Sequence, residues 1–333
     1  MPTDVHHSAT CPKRMEFGPC GGVHTDLSCE MADQPCPFAI AGEVVAWTGP
    51  PVPERSTLDV SKTLILTDFT VRPYDVESVA AVGAALAGSC DGVLVGEHHN
   101  RPDFPPTLMT KLIRDAGLEA WVTLTCRDRN RVVLEQELAG LAAAGATGVL
   151  CVTGDGRAHD VRPDVTQVFD IDSTRLAALA ATTGLHVAVA EAPDAPPMSL
   201  RPGRLREKQR AGAQLCLLNH VGSPARVAAF VEAARACGVT LPVIAGVAVY
   251  TDERSARALS LPGLGLDPVA VQGVLSAVDP VEAGIAAAVS EARALLAVDG
   301  VVGVNLSGLA SGRSEVLAAE IKAAIGQTVR AGS

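Results

Sequence analysis

The sequence is poor in aromatic side chains, which make up 3% of its 333 residues, and it has no surplus of basic residues. Its 27 Lys and Arg are outnumbered by 37 Asp and Glu, and no clustered basic face is visible, so we expect no nucleic-acid partner. No apolar run reaches the roughly 18 residues that a membrane-spanning helix needs, so we expect no membrane role. The opening residues MPTDVHHSAT lack the basic-then-apolar profile of a secretion signal, and a cytoplasmic location is therefore expected.

The nine cysteines are unevenly distributed. Five of them lie in apolar segments and are expected to be reduced core residues, because a free thiol packs as a small hydrophobe. These five are Cys90, Cys126, Cys151, Cys216 and Cys237. The other four, Cys11, Cys20, Cys29 and Cys36, fall within the first 40 residues among Gly and Pro. Four thiolates in a segment with little apolar sequence indicate a closed tetrahedral metal site, with zinc favoured over an iron–sulfur cluster and unliganded thiols as the alternative.

From residue 64 onwards, the sequence repeats a short β-branched run, a turn and an Ala/Leu-rich stretch with helical spacing. Eight such units predict a (β/α)8 TIM barrel, whose core of small branched side chains suits this composition. The predicted strands are 64–69, 92–97, 120–126, 148–154, 186–192, 214–220, 242–248 and 301–307. The predicted helices include 75–88, 130–145, 172–183, 223–236 and 281–297. An open doubly wound sheet is the alternative, disfavoured because no GxGxxG follows the first strand.

Three regions are predicted along the chain. Residues 1–40 form a cysteine-rich metal-binding module, residues 41–62 are a Pro-rich linker, and residues 63–333 form the catalytic barrel. Residues 261–280 are expected to be an extra turn and helix inserted before the last helix and strand.

Polar residues follow each predicted strand, at the barrel end where active sites lie. They are Asp68, Glu97, His98, His99, Asn100, Thr125, Cys126, Arg127, Asp128, Thr153, Gly154, Asp155, Glu191, Asn219, His220, Tyr250, Asn305 and Ser307. Any one of them is typical of a solvated loop or a helix cap, but a ring of them around one mouth favours a polar heterocyclic ligand. The turn at 153–156 could also bind an anion through its backbone amides. A metal site built from Glu97, His98 and His99 is disfavoured because adjacent side chains on an extended chain point apart.

Several sequence blocks resemble the methylenetetrahydrofolate reductase family over roughly residues 64–260. These blocks are LTCRDRN (124–130), LCVTGD (150–155), VFDIDS (168–173), KQRAGA (208–213) and PVIAGV (242–247). The N-terminal runs CPK, GPCGG and CE resemble a cysteine-rich module that accompanies some members of that family. The resemblance implies that a reduced flavin (FAD), recharged by NADH or another donor, passes a hydride to 5,10-methylenetetrahydrofolate and yields 5-methyltetrahydrofolate.

The resemblance also implies roles for individual residues. Asp68 aligns with the glutamate that protonates the folate nitrogen, Asp128 with the aspartate between flavin and pterin, and Asn219 with a folate-binding glutamine. Glu97, Glu191 and Tyr250 are the other predicted substrate contacts. The predicted FAD contacts are Thr125, Asp128, Thr153, Gly154, Asp155 and Asp172.

Two alternatives follow from the departures from the family pattern. Asp in place of Glu and Asn in place of Gln each shorten a functional side chain by one methylene group, which changes where a ligand must lie. The chain could instead be a flavin-free folate-dependent one-carbon transferase on the same barrel. It could also be a non-catalytic folate-binding subunit, and either a homo-oligomer or a complex with a partner subunit is compatible with these functions.

Overall fold

Eight parallel strands close into a barrel in chain order, with the last strand hydrogen-bonded to the first. This computed structural model describes residues 10–97, 101–157, 162–259 and 265–332. The strands are β1 (Leu64–Asp68), β2 (Gly92–Val95), β3 (Ala120–Thr125), β4 (Gly148–Val152), β5 (His186–Glu191), β6 (Leu215–Leu218), β7 (Val243–Tyr250) and β8 (Val301–Ala310). Each overlaps its predicted range, so the TIM-barrel prediction is confirmed.

Helices alternate with these strands and cover the outside of the barrel. They are α1 (Pro37–Ala41), α2 (Val76–Leu86), α3 (Pro106–Asp115), α4 (Arg131–Ala143), α5 (Ser173–Ala180), α6 (Arg201–Arg210), α7 (Pro224–Ala236), α8 (Glu253–Ala258), α9 (Pro268–Leu275), α10 (Pro280–Leu296) and α11 (Glu315–Ala331). Asp279 illustrates how the sequence starts them: its carboxylate accepts hydrogen bonds from the first-turn amides of α10, and Pro280 follows it. Within the described residues, no helix has both the length and the apolar character needed to cross a membrane.

The barrel interior is filled by a separate apolar layer. It contains Leu66, Leu94, Trp121, Leu150, Ala188, Leu215, Leu217 and Ile244. Trp121, which is 3% exposed, has room because glycines lie beside it. A Cβ atom on Gly148 would approach its ring to 2.5 Å, and one on Gly92 would approach it to 2.9 Å. One large indole at the amino-terminal end of β3 therefore does much of the filling in a chain with few aromatics.

The N-terminal residues pack against the barrel through their own small core. Met15, Val23, Cys36 and Phe38 are buried there, and the partly buried Cys11 and Cys20 pack against them. We call residues 10–41 the N-terminal module. The segment that follows, predicted as a linker, runs along the barrel: Trp47 N donates to Glu207 at 2.7 Å, and Gln214 donates to the Ser56 carbonyl at 2.7 Å.

Trp121→Ala should lower the free energy of unfolding by about 3–5 kcal/mol, because the neighbouring glycines cannot fill the cavity that it leaves. Urea denaturation followed by circular dichroism measures this loss. The matched control is Val278→Ala on the surface, expected to change stability by less than about 0.5 kcal/mol. An equally small effect for both variants would contradict this account of the barrel core.

Candidate active site at the barrel mouth

A cavity of about 490 Å³ lies at the carboxyl ends of the strands, and we call it the mouth cavity. It is lined by eight of the predicted site residues: Asp68, Glu97, Thr125, Thr153, Gly154, Asp155, Glu191 and Asn219. Positions more than 150 residues apart in the sequence therefore meet at one opening, as the barrel prediction requires.

Asp68 ends β1 with its carboxylate held on both oxygens. Oδ1 accepts a hydrogen bond from Asn305 Nδ2 at 2.8 Å, and Oδ2 accepts one from the Gly308 amide at 2.9 Å. The Asn305 amide also donates to Ser307 Oγ at 2.8 Å. The polar end of β8 therefore fixes the orientation of Asp68 at the mouth. Asn219 follows β6, lines the same cavity and is an exposed residue.

Glu191, at the end of β5, is fully buried and surrounded by cations. Lys208 donates to it at 2.9 Å, Arg204 at 3.1 Å, and Arg201 lies 3.6 Å away. Burial alone would raise the pKa of Glu191, but the charges of Lys208, Arg204 and Arg201 outweigh it and lower that pKa to about 2. Burial also lowers the pKa of Lys208 to about 8. Glu191 thus lines the cavity as the counter-ion of three cations, and the net charge around it is positive.

The rim between β2 and β4 is bound together by its own side chains. Glu97 accepts hydrogen bonds from Thr125 N at 3.0 Å and Thr125 Oγ1 at 2.7 Å, and it pairs with Arg129 at 2.6 Å. Thr153 Oγ1 accepts a hydrogen bond from the Ser173 amide at 3.0 Å. These three predicted site residues thus reach the cavity while serving as structural hydrogen-bond partners.

Asp128 does not line the mouth cavity but faces an adjoining pocket. Arg157 donates two hydrogen bonds to its carboxylate, of 2.5 and 2.9 Å, and Arg127 donates one of 3.0 Å. Burial would raise the pKa of Asp128, but the bonds and charges of these two arginines outweigh it and hold that pKa below its ordinary value. The structure therefore brings Asp68 and Asn219 together and places Asp128 beside them in a separate cavity.

Asp172 and Tyr250 lie around the mouth cavity rather than on its wall. Asp172 is fully buried; it caps α5 through the amides of Thr174 and Arg175, each at 3.0 Å, and accepts a third bond from Glu16 N at 3.1 Å. Burial raises its pKa. Tyr250 is 8% exposed and packs in an apolar cluster that includes Leu259. Neither residue lines the mouth cavity, because each is used in packing or capping around it.

The N-terminal module forms part of the cavity wall. Lys13 forms an ion pair with Glu30, and together they hold the turn after β4: Lys13 Nζ donates to Gly154 O at 2.7 Å, and Gly156 N donates to Glu30 Oε2 at 3.1 Å. Cys20 and Gly21 also line the cavity. The turn predicted as an anion cradle is thus engaged by the module.

The predicted metal site is not supported by the structure. Among the described residues, no group of three or more His, Cys, Asp or Glu side chains is arranged to hold a metal ion. Cys29 Sγ accepts a bond from Met31 N at 3.4 Å, Cys20 Sγ donates to Glu30 at 3.4 Å, and Cys11 and Cys36 pack in the apolar core of the module. His98, His99 and Asn100 lie outside the described residues.

No role was predicted from the sequence for several cations at or near the mouth. They are Lys13, Arg127, Arg204, Lys208 and Lys322. Arg127 and Lys208 lie within the sequence blocks already quoted, but nothing in those blocks showed which way they point. Lys322 had a clearer signal, because it falls on the apolar stripe of α11 between Ala318 and Val329, where a basic residue must be buried.

Comparison with known proteins agrees with this architecture. The model of the methylenetetrahydrofolate reductase family matches residues 94–295. No curated protein matches the chain significantly. Among solved structures, a protein from Clostridium thermocellum described as binding two copies of 5-methyl-5,6,7,8-tetrahydrofolic acid aligns with a TM-score of 0.60 at 11% identity, covering 82% of this chain and 96% of that one.

Tryptophan synthase from M. tuberculosis aligns with a TM-score of 0.46 at 19% identity, covering 81% of this chain and 94% of that one. At 11% identity, the likeness to the Clostridium thermocellum protein concerns the fold alone. The family match shows membership of a family as well as a fold, because it spans more than half of the chain and includes β3 to β7 of the barrel. The chain therefore belongs to the methylenetetrahydrofolate reductase family.

Proposed function

We propose that this chain binds a reduced folate in the mouth cavity and converts 5,10-methylenetetrahydrofolate to 5-methyltetrahydrofolate. The observation that carries the proposal is that Asp68 and Asn219 line one cavity. The reaction needs an acid that protonates the folate and an amide that binds it. Family membership and the folate-binding neighbour of the same fold support it.

The two residues divide the work. The exposed carboxamide of Asn219 offers both a donor and an acceptor, which suits the mixed edge of a pterin ring. Asp68 delivers a proton to the folate nitrogen, so that the five-membered ring opens and its methylene carbon becomes electrophilic. A hydride from a reduced nicotinamide nucleotide then completes the methyl group. Because Asp is shorter than Glu, the folate has to lie closer to β1.

Three of the residues predicted to hold FAD are engaged by other groups of the protein in this arrangement. Thr125 donates its hydroxyl to Glu97, Thr153 accepts from the Ser173 amide, and Asp172 is enclosed as a helix cap. Lys13 and Glu30 of the module already hold the turn at 154–156. We therefore propose no step through FAD.

The same observation favours a second candidate. If the rim stays engaged by the module, the chain could bind folate without a flavin, either as a one-carbon transferase or as a folate-binding subunit. The wild-type assay separates these from the reductase: formation of 5-methyltetrahydrofolate from the methylene compound and NADH occurs only with the reductase.

Asp68→Asn should lower turnover by about 10²- to 10⁴-fold, because it removes the proton donor while it keeps the shape of the side chain and one of its two accepted hydrogen bonds. Calorimetry should show folate affinity within about threefold of wild type. The exposed carboxylate Asp115, changed to Asn, is the matched control and should leave both quantities unaltered. Unchanged turnover in Asp68→Asn would remove this residue from the reaction.

Titration of the purified protein with FAD should leave no flavin bound after gel filtration, because the rim groups are engaged internally. Absorbance at about 450 nm is the measurement, since an oxidised flavin absorbs there. A reduced folate bound under the same conditions is the positive control. Stoichiometric retention of FAD would contradict our reading of the rim.

Lys322, on α11, forms a hydrogen bond with Asp68 and makes the stability of the protein depend on pH. Its Nζ donates to the Asp68 backbone carbonyl at 2.7 Å, and burial lowers its pKa to about 8 although the nearby Asp68 charge opposes that shift. An unfolded lysine has a pKa of about 10.4. Between these values the unfolded chain binds more protons at this position than the folded chain, so stability rises with pH.

Lys322→Met should remove that contribution. From pH 8 to pH 9.5, the stability of wild type relative to the variant should grow by about 1–2 kcal/mol, as measured by urea denaturation. Lys111→Met, at an exposed position on α3, is the control and should run parallel to wild type. If the stability of Lys322→Met also changes with pH in parallel with wild type, the pKa of Lys322 is not lowered by burial.

A further inference from the structure

Part of the mouth-cavity wall consists of buried polar side chains that lack hydrogen-bond partners. Arg204 and Ser173 both line the cavity, and they are 5% and 1% exposed. Arg204 Nε and Ser173 Oγ are enclosed, and neither forms a hydrogen bond with a described residue. A buried polar atom without a partner costs about 1–3 kcal/mol, so nearly all such atoms in proteins are paired. Two of them on one cavity wall indicate a ligand that supplies the missing partner.

Arg204 uses only part of its hydrogen-bonding capacity. A guanidinium group has five N–H donors. Nη1 of Arg204 donates to Glu191, at 3.3 Å from Oε1 and 3.1 Å from Oε2, whereas Nε and Nη2 donate to none of the residues that the structure describes. The N-terminal module packs against the side-chain stem, since a Cβ atom on Gly18 would lie 3.3 Å from Arg204 Cδ. The guanidinium group is therefore held at the cavity with donors that have no acceptor.

Two further side chains add donors to the cavity wall. Lys208 donates to the Ala190 carbonyl and to Glu191 Oε2, which leaves one of the three hydrogens of its ammonium group unused. Thr153 Oγ1 accepts a hydrogen bond from Ser173 N, and its own hydroxyl hydrogen has no acceptor among the described residues. We call Thr153, Ser173, Arg204 and Lys208 together the cationic wall.

The two halves of the cationic wall are neighbours. Lys208 and Arg204 meet at Glu191, and Thr153 and Ser173 are joined by a hydrogen bond. Burial raises the pKa of Asp172, the residue before Ser173, and the charge of Arg204 is one of the interactions that oppose this rise. Arg204 therefore lies close to the start of α5 as well as to Glu191.

The charge of this region favours an anion. Three cations, Lys208, Arg204 and Arg201, face the single carboxylate of Glu191, which is a surplus of two positive charges. The buried Asp172 offsets at most one of them. An oxyanion would neutralise the remaining charge and accept hydrogen bonds from the unpaired donors. Hydrogen bonds between charged groups of this kind are about twice as strong as neutral ones.

The cationic wall lies across the mouth from the proposed proton donor. In the closed barrel, β5 is four strands away from β1 in either direction, so Glu191 at the end of β5 faces Asp68 at the end of β1. A pterin bound by Asp68 and Asn219 therefore leaves the side of the cavity near β4 and β5 to a second molecule. The proposed reaction requires such a molecule, because the methylene carbon has to receive a hydride or another nucleophile.

Resting on the proposed function, we propose that the cationic wall binds an oxyanion carried by the second substrate, the molecule that reacts with the methylene carbon of the folate. Arg204 and the Ser173 hydroxyl donate to the oxyanion, and Lys208 and Thr153 complete its hydrogen bonds. A phosphate of a reduced nicotinamide nucleotide and a carboxylate of a one-carbon acceptor share this chemistry.

The test is a calorimetric titration of the full chain with inorganic phosphate and with acetate, at constant ionic strength. At least one anion should bind with a Kd of about 1 mM. Tighter binding of phosphate identifies a phosphate-bearing second substrate, and tighter binding of acetate identifies a carboxylate. Saturating tetrahydrofolate should change the anion affinity by less than about threefold, because the two ligands occupy different sides of the cavity.

Variants show whether the anion lies at the cationic wall. Arg204→Lys keeps the charge beside Glu191 but loses the planar set of donors, so anion affinity should fall by about tenfold. Ser173→Ala removes only the unpaired hydroxyl, should fold normally and should weaken anion binding by about two- to fivefold. Thr174→Val is the matched control, because its hydroxyl is equally buried and unpaired but does not line the cavity. Arg257→Lys, at an exposed position on α8, is the control for Arg204→Lys.

The proposal and the proposed function fail in distinguishable ways. Absence of anion binding, or equal binding in wild type and in both cationic-wall variants, would overturn the proposal and leave folate binding untouched. Release of the anion by tetrahydrofolate would assign the wall to the folate and would also overturn it. Failure of tetrahydrofolate to bind would remove the proposed function, whereas anion binding that responds to both variants would still support the anion site.

Discussion

Closure of eight parallel strands is the constraint on which the rest of the molecule depends. In a parallel barrel every strand ends at the same face, so polar residues placed after apolar strands are brought together regardless of their distance in sequence. Asp68 and Gly308 are 240 positions apart and are joined by a 2.9 Å hydrogen bond. The apolar layer around Trp121 fills the barrel below them, so the cavity begins only at the carboxyl ends.

Charge arranges the mouth once the strands are closed. The fully buried Glu191 is stable as a carboxylate because three cations surround it, and removing one of them would leave a buried charge poorly compensated. Arg201, one of those cations, also donates to the carbonyl of Cys20 at 2.9 Å. The cations that keep Glu191 ionised therefore also hold the N-terminal module in place. The module forms one wall of the cavity.

Much of this could be predicted from the sequence. Apolar runs separated by helical stretches defined all eight strands, and the polar residues after them defined most of the mouth. The directions of those polar side chains could not be predicted, because they depend on partners that are distant in the sequence. Asp128 pairs with Arg157 in the pocket beside the mouth, and Asp172 caps α5 and accepts a hydrogen bond from Glu16 N. The cysteines were predicted to form a metal site, but their packing depends on contacts that their spacing does not encode.

A structure of the chain with 5-methyltetrahydrofolate bound tests the central claim most directly. We predict that the pterin lies in the mouth cavity, with ring nitrogens or the ring carbonyl within about 3.2 Å of the Asn219 carboxamide and of the Asp68 carboxylate. A pterin located away from the carboxyl ends of the strands, or one in the mouth that contacts neither side chain, would contradict the account.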